Sequence, residues 1–346
     1  MSFNPISVKV DYLCYLPKEG NSPKVTIYSD HDEEFLVQFI DNDTKRFIFG
    51  GLCKTNNSII GKRQWYTNWL IRVYDNEKNL RYKEEFNPTG QVVFIKSDAY
   101  ALGDNIAWIP YFEEFRRKHS CTVICSTFYN HLFEEEYPDL LFVKPDTRIS
   151  NVYAQYYIGA NDDDNEMYSP SNSKKIPLQK VPCDILGLEF EEIRPKITIR
   201  KPATAGSGYV CISEHASSSD KQWKYEGGWQ RVVDYLNEKG YDVVVISKEP
   251  TELKNVIDLT GDYSLDVRIT QLDCAELFIG VSSGLAWLSW GVGTHVMMIS
   301  DVTPEWHEFQ GGMTRLINSN KNFVDYIPTE PTSCEKVLEN LSRLLG

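Results

Sequence analysis

The chain has 346 residues, of which 42% are hydrophobic and 25% charged, so it can form two or three globular domains and disorder is not expected. A formal net charge of −13 without any Lys- and Arg-rich run argues against nucleic acid or an acidic membrane surface as a partner. No apolar stretch is long enough for a membrane span, and the start Met1-Ser-Phe-Asn-Pro lacks the regions of a signal peptide, so we expect a cytoplasmic protein.

Residues 1–88 predict a small antiparallel β-domain. Short β-rich runs alternate with Gly, Asn, Asp and Pro turns, as in a sandwich or barrel. The aromatic side chains of Trp65, Tyr66, Trp69 and Tyr74 either form the core of this domain or belong to a recognition face.

Residues 89–160 predict a first Rossmann-like half, since strand and helix patterns alternate from Gln91 onward. Asp104 follows the first of these strands and is expected at the mouth of a cleft. Its carboxylate could take a proton from an acceptor hydroxyl. Equally, it could be the N-cap of the helix that follows, because Asp is common at that position.

Residues 161–207 interrupt the alternation with several prolines and the acidic run Asp162-Asp163-Asp164, which predicts a linker with a solvated loop. Residues 208–346 predict a second Rossmann-like half that closes with an amphipathic helix over 333–345. Thr332 stands three residues before Glu335, the spacing of a capping box. The cysteines are scattered, and the pair Cys121 and Cys125 lies in a strand-like segment, which favours buried thiols over a metal site.

The segment His215-Ala-Ser-Ser-Ser-Asp-Lys-Gln-Trp223 joins a predicted strand, 209–214, to a predicted helix, 228–239. A hydroxyl-rich turn into a helix directs unpaired N–H groups and the positive helix end to one place, which suits a diphosphate. A plain connection with a cap is the alternative for this segment alone.

A second segment of this kind follows. The apolar run 277–281 predicts a buried strand, Ser282-Ser283-Gly284 opens an apolar helix, and Gly291 and Gly293 end that helix. Because ligands of α/β sheets bind outside the carboxyl ends of the strands, both segments are expected at one nucleotide site. The predicted architecture is therefore two Rossmann-like halves that face a cleft.

The segment 215–223 resembles the His-Ala-Thr-Thr-Arg-Asp-Asp-Lys-His-Trp loop of bacterial lipopolysaccharide heptosyltransferases, and Ser283-Gly284-Leu285 resembles their Thr-Gly-Leu. Longer stretches are similar to the autotransporter protein O-heptosyltransferases: Leu102-Gly-Asp-Asn-Ile-Ala-Trp-Ile-Pro-Tyr-Phe112, Gly228-Trp-Gln-Arg-Val-Val-Asp-Tyr-Leu236 and Gly280-Val-Ser-Ser-Gly-Leu-Ala-Trp287.

This resemblance implies a GT-B fold behind an N-terminal β-domain, with ADP-heptose as donor and serine hydroxyls of a β-solenoid adhesin as acceptors. It assigns the catalytic acid–base role to Asp104. The implied diphosphate-binding residues are Ser217, Ser218, Lys221, Ser283, Gly284 and Leu285. Lys248 and Glu249 match the position of the ribose-binding residue.

The chain departs from the family near its end. The resemblance implies a four-cysteine iron site and a ring-shaped oligomer, yet only Cys334 lies beyond residue 300. One thiol cannot form a tetrahedral thiolate site, so we do not expect iron.

From these residues we predict a metal-independent inverting glycosyltransferase. Lys221 and helix N-termini would stabilise the leaving diphosphate, while Asp104 deprotonates the acceptor. Two alternatives stay open: a catalytically silent module of the same fold that binds a nucleotide-sugar or glycan, and a transferase that uses another nucleotide-sugar.

Overall fold

The computed structural model describes residues 5–16, 19–200, 208–304, 306–317 and 331–346. Within these ranges, two antiparallel sheets come first and two parallel sheets flanked by helices follow. This arrangement confirms the predicted fold class. The domain boundaries at residues 88, 160 and 207 stay a prediction.

The N-terminal β-domain consists of a three-stranded sheet, ordered β1-β2-β5, and a four-stranded sheet, ordered β4-β3-β6-β7. Along β3 the side chains of Phe35, Val37 and Phe39 are buried while that of Leu36 is exposed, which is the two-residue period of a half-buried strand. Trp69 is buried in this core, in agreement with the core interpretation of the aromatic residues. The strands are β1 (Ser7–Leu16), β2 (Glu19–Tyr28), β3 (Glu34–Asp41), β4 (Arg46–Lys54), β5 (Ser58–Ile60), β6 (Trp69–Tyr74) and β7 (Leu80–Glu85).

The first Rossmann-like half has four parallel strands in the order β10-β9-β8-β11. Its long helix α1 is buried on more than one side, since Ile106, Trp108 and Phe112 are each at most 1% exposed. That burial follows from contacts with the sheet on one side and with the second half on another. The elements are β8 (Val92–Ser97), α1 (Leu102–His119), β9 (Thr122–Ser126), β10 (Leu140–Phe142) and β11 (Ala154–Ile158).

The segment predicted as a linker contains a helix, α2 (Lys180–Leu186), which the sequence analysis missed. Its inner residues are buried, and it ends at Gly187 in the left-handed conformation. A Cβ atom at Gly187 would lie 2.2 Å from the ring of Tyr66, so this segment packs closely on the β-domain. Trp65 also donates a hydrogen bond to the carbonyl of Glu166 (2.9 Å). Residues 201–207 lie outside the described part.

The second Rossmann-like half has six parallel strands in the order β14-β13-β12-β15-β16-β17, with helices on both faces. Ser333, rather than Thr332, is the N-cap of the last helix, because Thr332 donates instead to the carboxylate of Asp301 (2.6 Å). The elements are β12 (Tyr209–Ser213), α3 (Gly228–Glu238), β13 (Asp242–Val245), β14 (Ile257–Asp258), α4 (Leu265–Asp273), β15 (Leu277–Val281), α5 (Gly284–Val292), β16 (Val296–Ser300), β17 (Met313–Ile317) and α6 (Cys334–Leu345).

Candidate active site

The order of the six-stranded sheet creates a crevice between β12 and β15. From β12 the chain runs to β13 and β14 on one side, and it then returns to β15 on the other side. Such a switch point is where open parallel sheets bind ligands, outside the carboxyl ends of the strands. Two connections follow these strand ends, the loop 214–222 and the turn 282–284. The structure thus brings together the two segments that the sequence analysis singled out.

Helix α5 begins in this crevice and lies against the start of α1. Ser283 is its N-cap, and the hydroxyl accepts a hydrogen bond from the backbone N–H of Ala286 (3.4 Å). A Cβ atom at Gly284 would lie 3.0 Å from the Cβ of Leu102 and 3.4 Å from the backbone nitrogen of Gly103. The two helix N-termini therefore meet, and both present positive helix ends at one place. Leu285 is half-buried and packs against the core.

Asp104 lies in the first turn of α1, whose N-cap is Ala101. The N-cap interpretation of Asp104 is therefore wrong. Burial raises the pKa of Asp104 to about 6, while the positive charge of Lys221 acts to lower this pKa and the negative charge of Asp162 adds to the increase. A carboxylate with a pKa near neutral pH is well suited to general base catalysis.

Lys221 ends a single 3₁₀ turn, Ser219–Lys221, and is half-buried. Its charge acts on Asp104 and on the imidazole of His307, although these groups come from three distant parts of the sequence. Among the residues that the structure describes, its amino group has no hydrogen-bond or ion-pair partner. This ammonium group can therefore bind an anionic ligand without breaking an existing contact.

The loop that carries Ser217 and Ser218 leads to α3, which begins at Gly228 as predicted. The 3₁₀ turn Ser219–Lys221 within this loop was not predicted. After that turn, Trp223 is buried against Gly228 and donates its indole N–H to the carbonyl of Thr332 (2.7 Å). Ser217 is exposed and Ser218 half-exposed in the loop.

Lys248 and Glu249 lie just after β13, at the same carboxyl edge of the sheet. Both are exposed, and the amino group of Lys248 forms an ion pair with Asp262 (3.2 Å) in which both side chains are more than two-thirds exposed. Exposed pairs of this kind contribute little energy, so Lys248 can change partners at low cost.

The sequence analysis left out a buried network beneath the turn 282–284. Glu308 is 3% exposed; it accepts a hydrogen bond from the hydroxyl of Ser282 and forms an ion pair with Arg315. Although burial alone would raise the pKa of Glu308, the neighbours Arg315, His307 and Ser282 keep this pKa below its ordinary value. The carboxylate is thus ionised and fixes the side chain that directly precedes the N-cap of α5.

An indole ring forms a wall beside the start of α1. A Cβ atom at Gly103 would lie 3.0 Å from the ring of Trp287, so the backbone next to Asp104 approaches this ring closely. Trp287 in turn packs edge-to-face on Phe309 (ring centroids 4.9 Å apart), and Phe309 stacks on Trp290 (4.5 Å). This aromatic cluster stiffens the contact between α1 and α5.

Within the described ranges, no three or more His, Cys, Asp or Glu side chains are grouped as a metal site would require. No helix in those ranges combines the length and the apolarity needed to cross a bilayer.

Sequence comparison relates the chain to heptosyltransferases. Residues 189–326 match the model of glycosyltransferase family 9 (heptosyltransferase). The chain is 28% identical over 278 residues to the autotransporter heptosyltransferase BAHTCr of Citrobacter rodentium, a match that covers 76% of this chain and 68% of that protein. It is also 28% identical over 275 residues to BimC of Burkholderia thailandensis, which is named an inactive autotransporter heptosyltransferase; that match covers 76% of this chain and 64% of BimC.

Among solved structures, the fold matches that of TibC from Escherichia coli, a dodecameric iron-containing heptosyltransferase in complex with ADP-D-β-D-heptose. The TM-score is 0.85 at 21% identity, with 99% of this chain and 97% of that chain covered. The likeness confirms a heptosyltransferase type of fold.

TibC is iron-containing, and the C-terminal segment of this chain offers one cysteine as a ligand. Beyond residue 300 the chain has only Cys334, whose buried thiol lies near the carbonyl of Gly228 (3.9 Å). A thiolate site needs several such ligands, so these residues do not fit one.

Proposed function

We propose that this chain, a glycosyltransferase similar to the autotransporter heptosyltransferases, transfers heptose from ADP-heptose to a serine or threonine hydroxyl of a protein. The observation that carries the proposal is the electrostatic interaction between Asp104 and Lys221 beside the joined N-termini of α1 and α5. The carboxylate of Asp104 can take a proton, and the ammonium group of Lys221 can neutralise a diphosphate. An inverting transferase that works without a metal ion needs both groups.

The donor binds, in this proposal, in the crevice between β12 and β15. Its diphosphate contacts the ammonium group of Lys221, the N-terminus of α5 and the hydroxyls of the loop, and its nucleoside extends towards Lys248 and Glu249. Two features support this placement: the amino group of Lys221, which has no partner among the described residues, and the general preference of anions for helix N-termini. The residues assigned to the diphosphate are Ser217, Ser218, Lys221, Ser283, Gly284 and Leu285.

The reaction is a single displacement with inversion. As Asp104 accepts the hydroxyl proton, the acceptor oxygen bonds to the anomeric carbon from the side opposite to ADP. The bond between that carbon and the β-phosphate oxygen breaks, and its electron pair leaves with ADP. Lys221 and the helix N-termini stabilise the charge that develops on the leaving group, so no divalent ion is required.

The proposed acceptor is a serine-rich β-solenoid adhesin that is modified in the cytoplasm before export. The names of the autotransporter heptosyltransferases support an autotransporter substrate. The absence of iron is likewise part of the proposal, and it follows from the single cysteine in the C-terminal segment.

An intact-mass assay tests the proposal. Purified protein is mixed with ADP-heptose, or with a panel of other nucleotide-sugars, and a serine-rich adhesin fragment. We expect a heptose-sized mass increase that the Asp104→Asn variant loses, by about 10²- to 10⁴-fold in rate, because the amide cannot accept the proton. The matched control is Asp163→Asn, an exposed carboxylate in the acidic loop, which should retain full activity. Transfer of another sugar would keep the mechanism and exclude heptose as the preferred donor.

The second candidate is a module that binds a nucleotide-sugar without turnover, and the relative BimC, which is named an inactive autotransporter heptosyltransferase, is the reason to consider it. Tight ADP binding with neither transfer nor donor hydrolysis in the same assay would favour it. The presence of both Asp104 and Lys221 in this chain favours the enzyme.

A further inference from the structure

Two aromatic rings, one exposed and one half-buried, form a tilted pair beside the start of α1. The rings of Tyr100 and Phe128 have their centroids 4.1 Å apart with an interplanar angle of 31°. Tyr100 is nevertheless 77% exposed, the largest exposure of any large hydrophobic side chain in the described part of the chain. A ring this exposed adds little to the hydrophobic core, so its position calls for another explanation.

The backbone that carries Tyr100 is fixed on both sides. The fully buried side-chain amide of Asn105 donates to the carbonyl of Ala99 and to that of Ala101, each at 2.8 Å. The hydroxyl of Tyr129 donates to the carbonyl of Tyr100 itself (2.9 Å). The loop is therefore ordered while its one large side chain faces solvent, which is the arrangement of a preformed contact surface.

The ring pair lies on the proposed acceptor side of the candidate site. Tyr100 follows β8 and Phe128 follows the neighbouring parallel strand β9, so both rings lie at the carboxyl edge of the four-stranded sheet. The chain leaves β8 for β9 on one side and reaches β11 on the other, which makes β8 and β11 the switch point of this half. Tyr100 precedes Asp104 by only four residues.

We propose that the paired rings of Tyr100 and Phe128 bind the polypeptide segment that carries the acceptor hydroxyl, next to Asp104. This inference rests on the proposed function, in which Asp104 removes the acceptor proton. Aromatic side chains offer a large contact area with few rotatable bonds, so they bind an extended segment at a small entropic cost. The cationic side chains proposed to bind the sugar donor lie in the second Rossmann-like half, which leaves the first half to bind the acceptor.

The acidic residues near the ring pair indicate which charge the acceptor segment can carry. The carboxylates of Asp98 and Asp162 flank this edge and are 62% and 58% exposed. Each has a lysine partner, but the net charge of the chain is −13 and an acidic segment would be repelled. The segment that binds here is accordingly neutral or basic and rich in serine or threonine.

A binding experiment tests the inference separately from turnover. A fluorescein-labelled serine-rich peptide without acidic residues is titrated with protein saturated with ADP, and its anisotropy gives the dissociation constant. We expect Tyr100→Ala to weaken peptide binding by roughly tenfold, in line with the energy of an aromatic contact, and to leave the ADP dissociation constant unchanged. Tyr100→Phe should bind like wild type because the ring is retained. Phe47→Ala removes a ring that is 56% exposed on β4 and should also have no effect.

The inference is overturned if wild type does not bind the peptide, if Tyr100→Ala binds it as wild type does, or if Tyr100→Ala weakens ADP binding by the same factor. The melting temperature of each variant excludes a folding defect, since an exposed ring contributes little to stability. If the peptide results are as expected but wild type adds no heptose in the mass assay, the acceptor surface stands and the proposed reaction fails.

Discussion

The two sides of the candidate active site hold their charged groups in different ways. On the proposed acceptor side, Asp104 belongs to the first turn of a long buried helix, and burial raises its pKa to about 6. On the proposed donor side, Lys221 ends a single turn in a partly exposed loop, and its amino group has no partner among the described residues. The fold thus sets the pKa of the Asp104 carboxylate before any ligand binds, whereas the ammonium group of Lys221 gains its ionic partner only when a ligand binds.

This difference has a mechanistic meaning. A general base must have the correct pKa before the acceptor arrives, and burial in a rigid element provides that. A phosphate-binding cation gains most if it is not already paired, because no ion pair then has to be broken when the donor binds. Substitutions on the two sides should therefore have different kinetic signatures.

Removing the cation should produce the largest donor-side effect. We expect Lys221→Ala to lower kcat by about 10²- to 10³-fold, because a preorganised charge at the leaving group is lost, and to weaken ADP binding as well. The neighbouring exposed Lys224→Ala is the control and should behave like wild type. Initial rates measure the effect on kcat, and ADP titrations measure the effect on binding. An unchanged kcat in Lys221→Ala would show that Lys221 does not stabilise the leaving diphosphate.

The turn before α5 should depend on its buried ion pair. Glu308→Gln leaves Arg315 without a counter-charge in a buried position, which typically costs about 3–5 kcal/mol of unfolding free energy. Chemical denaturation would measure this loss. Glu339→Gln breaks an exposed ion pair with Arg343 and should cost at most about 0.5 kcal/mol. Equal losses in the two variants would show that the Glu308 network does not support the turn.

Local patterns were sufficient to predict several elements of the site. The buried run 277–281 and the helix that Ser282-Ser283-Gly284 opens appear as predicted, because apolar periodicity and helix-start residues act over a few neighbouring positions. Even the missed helix α2 had local signals, since Pro182 lies in its first turn and Gly187 follows its end.

Contacts between distant segments could not be predicted in this way. The burial of Trp223 depends on a hydrogen bond to Thr332, which lies 109 residues further along the chain, and the ion pair of Glu308 with Arg315 depends on how the loop after β16 folds back on β17. The sequence analysis did not include Glu308 in the site, and it expected Asp162 in a solvated loop. The structure places Glu308 in the core and Asp162 within electrostatic reach of Asp104, which only the tertiary fold determines.

The pKa of Asp104 leads to a prediction of intermediate size. Because the base acts as a carboxylate, the rate should fall as the pH decreases through about 6. Asp162→Asn removes a negative neighbour and should move this acidic limb to lower pH, while Lys221→Ala removes a positive neighbour and should move it to higher pH. Profiles of kcat/KM against pH would measure both shifts. Shifts in the same direction would mean that another group limits the rate.

The smallest expected effect is that of removing metal ions on the transfer rate, and it tests only the proposed binding of the donor diphosphate. If Lys221 and the two helix N-termini carry the diphosphate charge, treatment with EDTA should leave the transfer rate within about twofold of the untreated protein. Metal analysis of the purified protein should find iron well below one atom per chain, because a single C-terminal cysteine cannot supply a thiolate site. Loss of activity with EDTA, restored by Mg²⁺ or Mn²⁺, would mean that the donor side resembles a metal-dependent site. Lys221 would then be a secondary contact for the diphosphate. The difference between a carboxylate whose pKa is set by burial and an ammonium group that is unpaired until the donor binds would no longer explain the site.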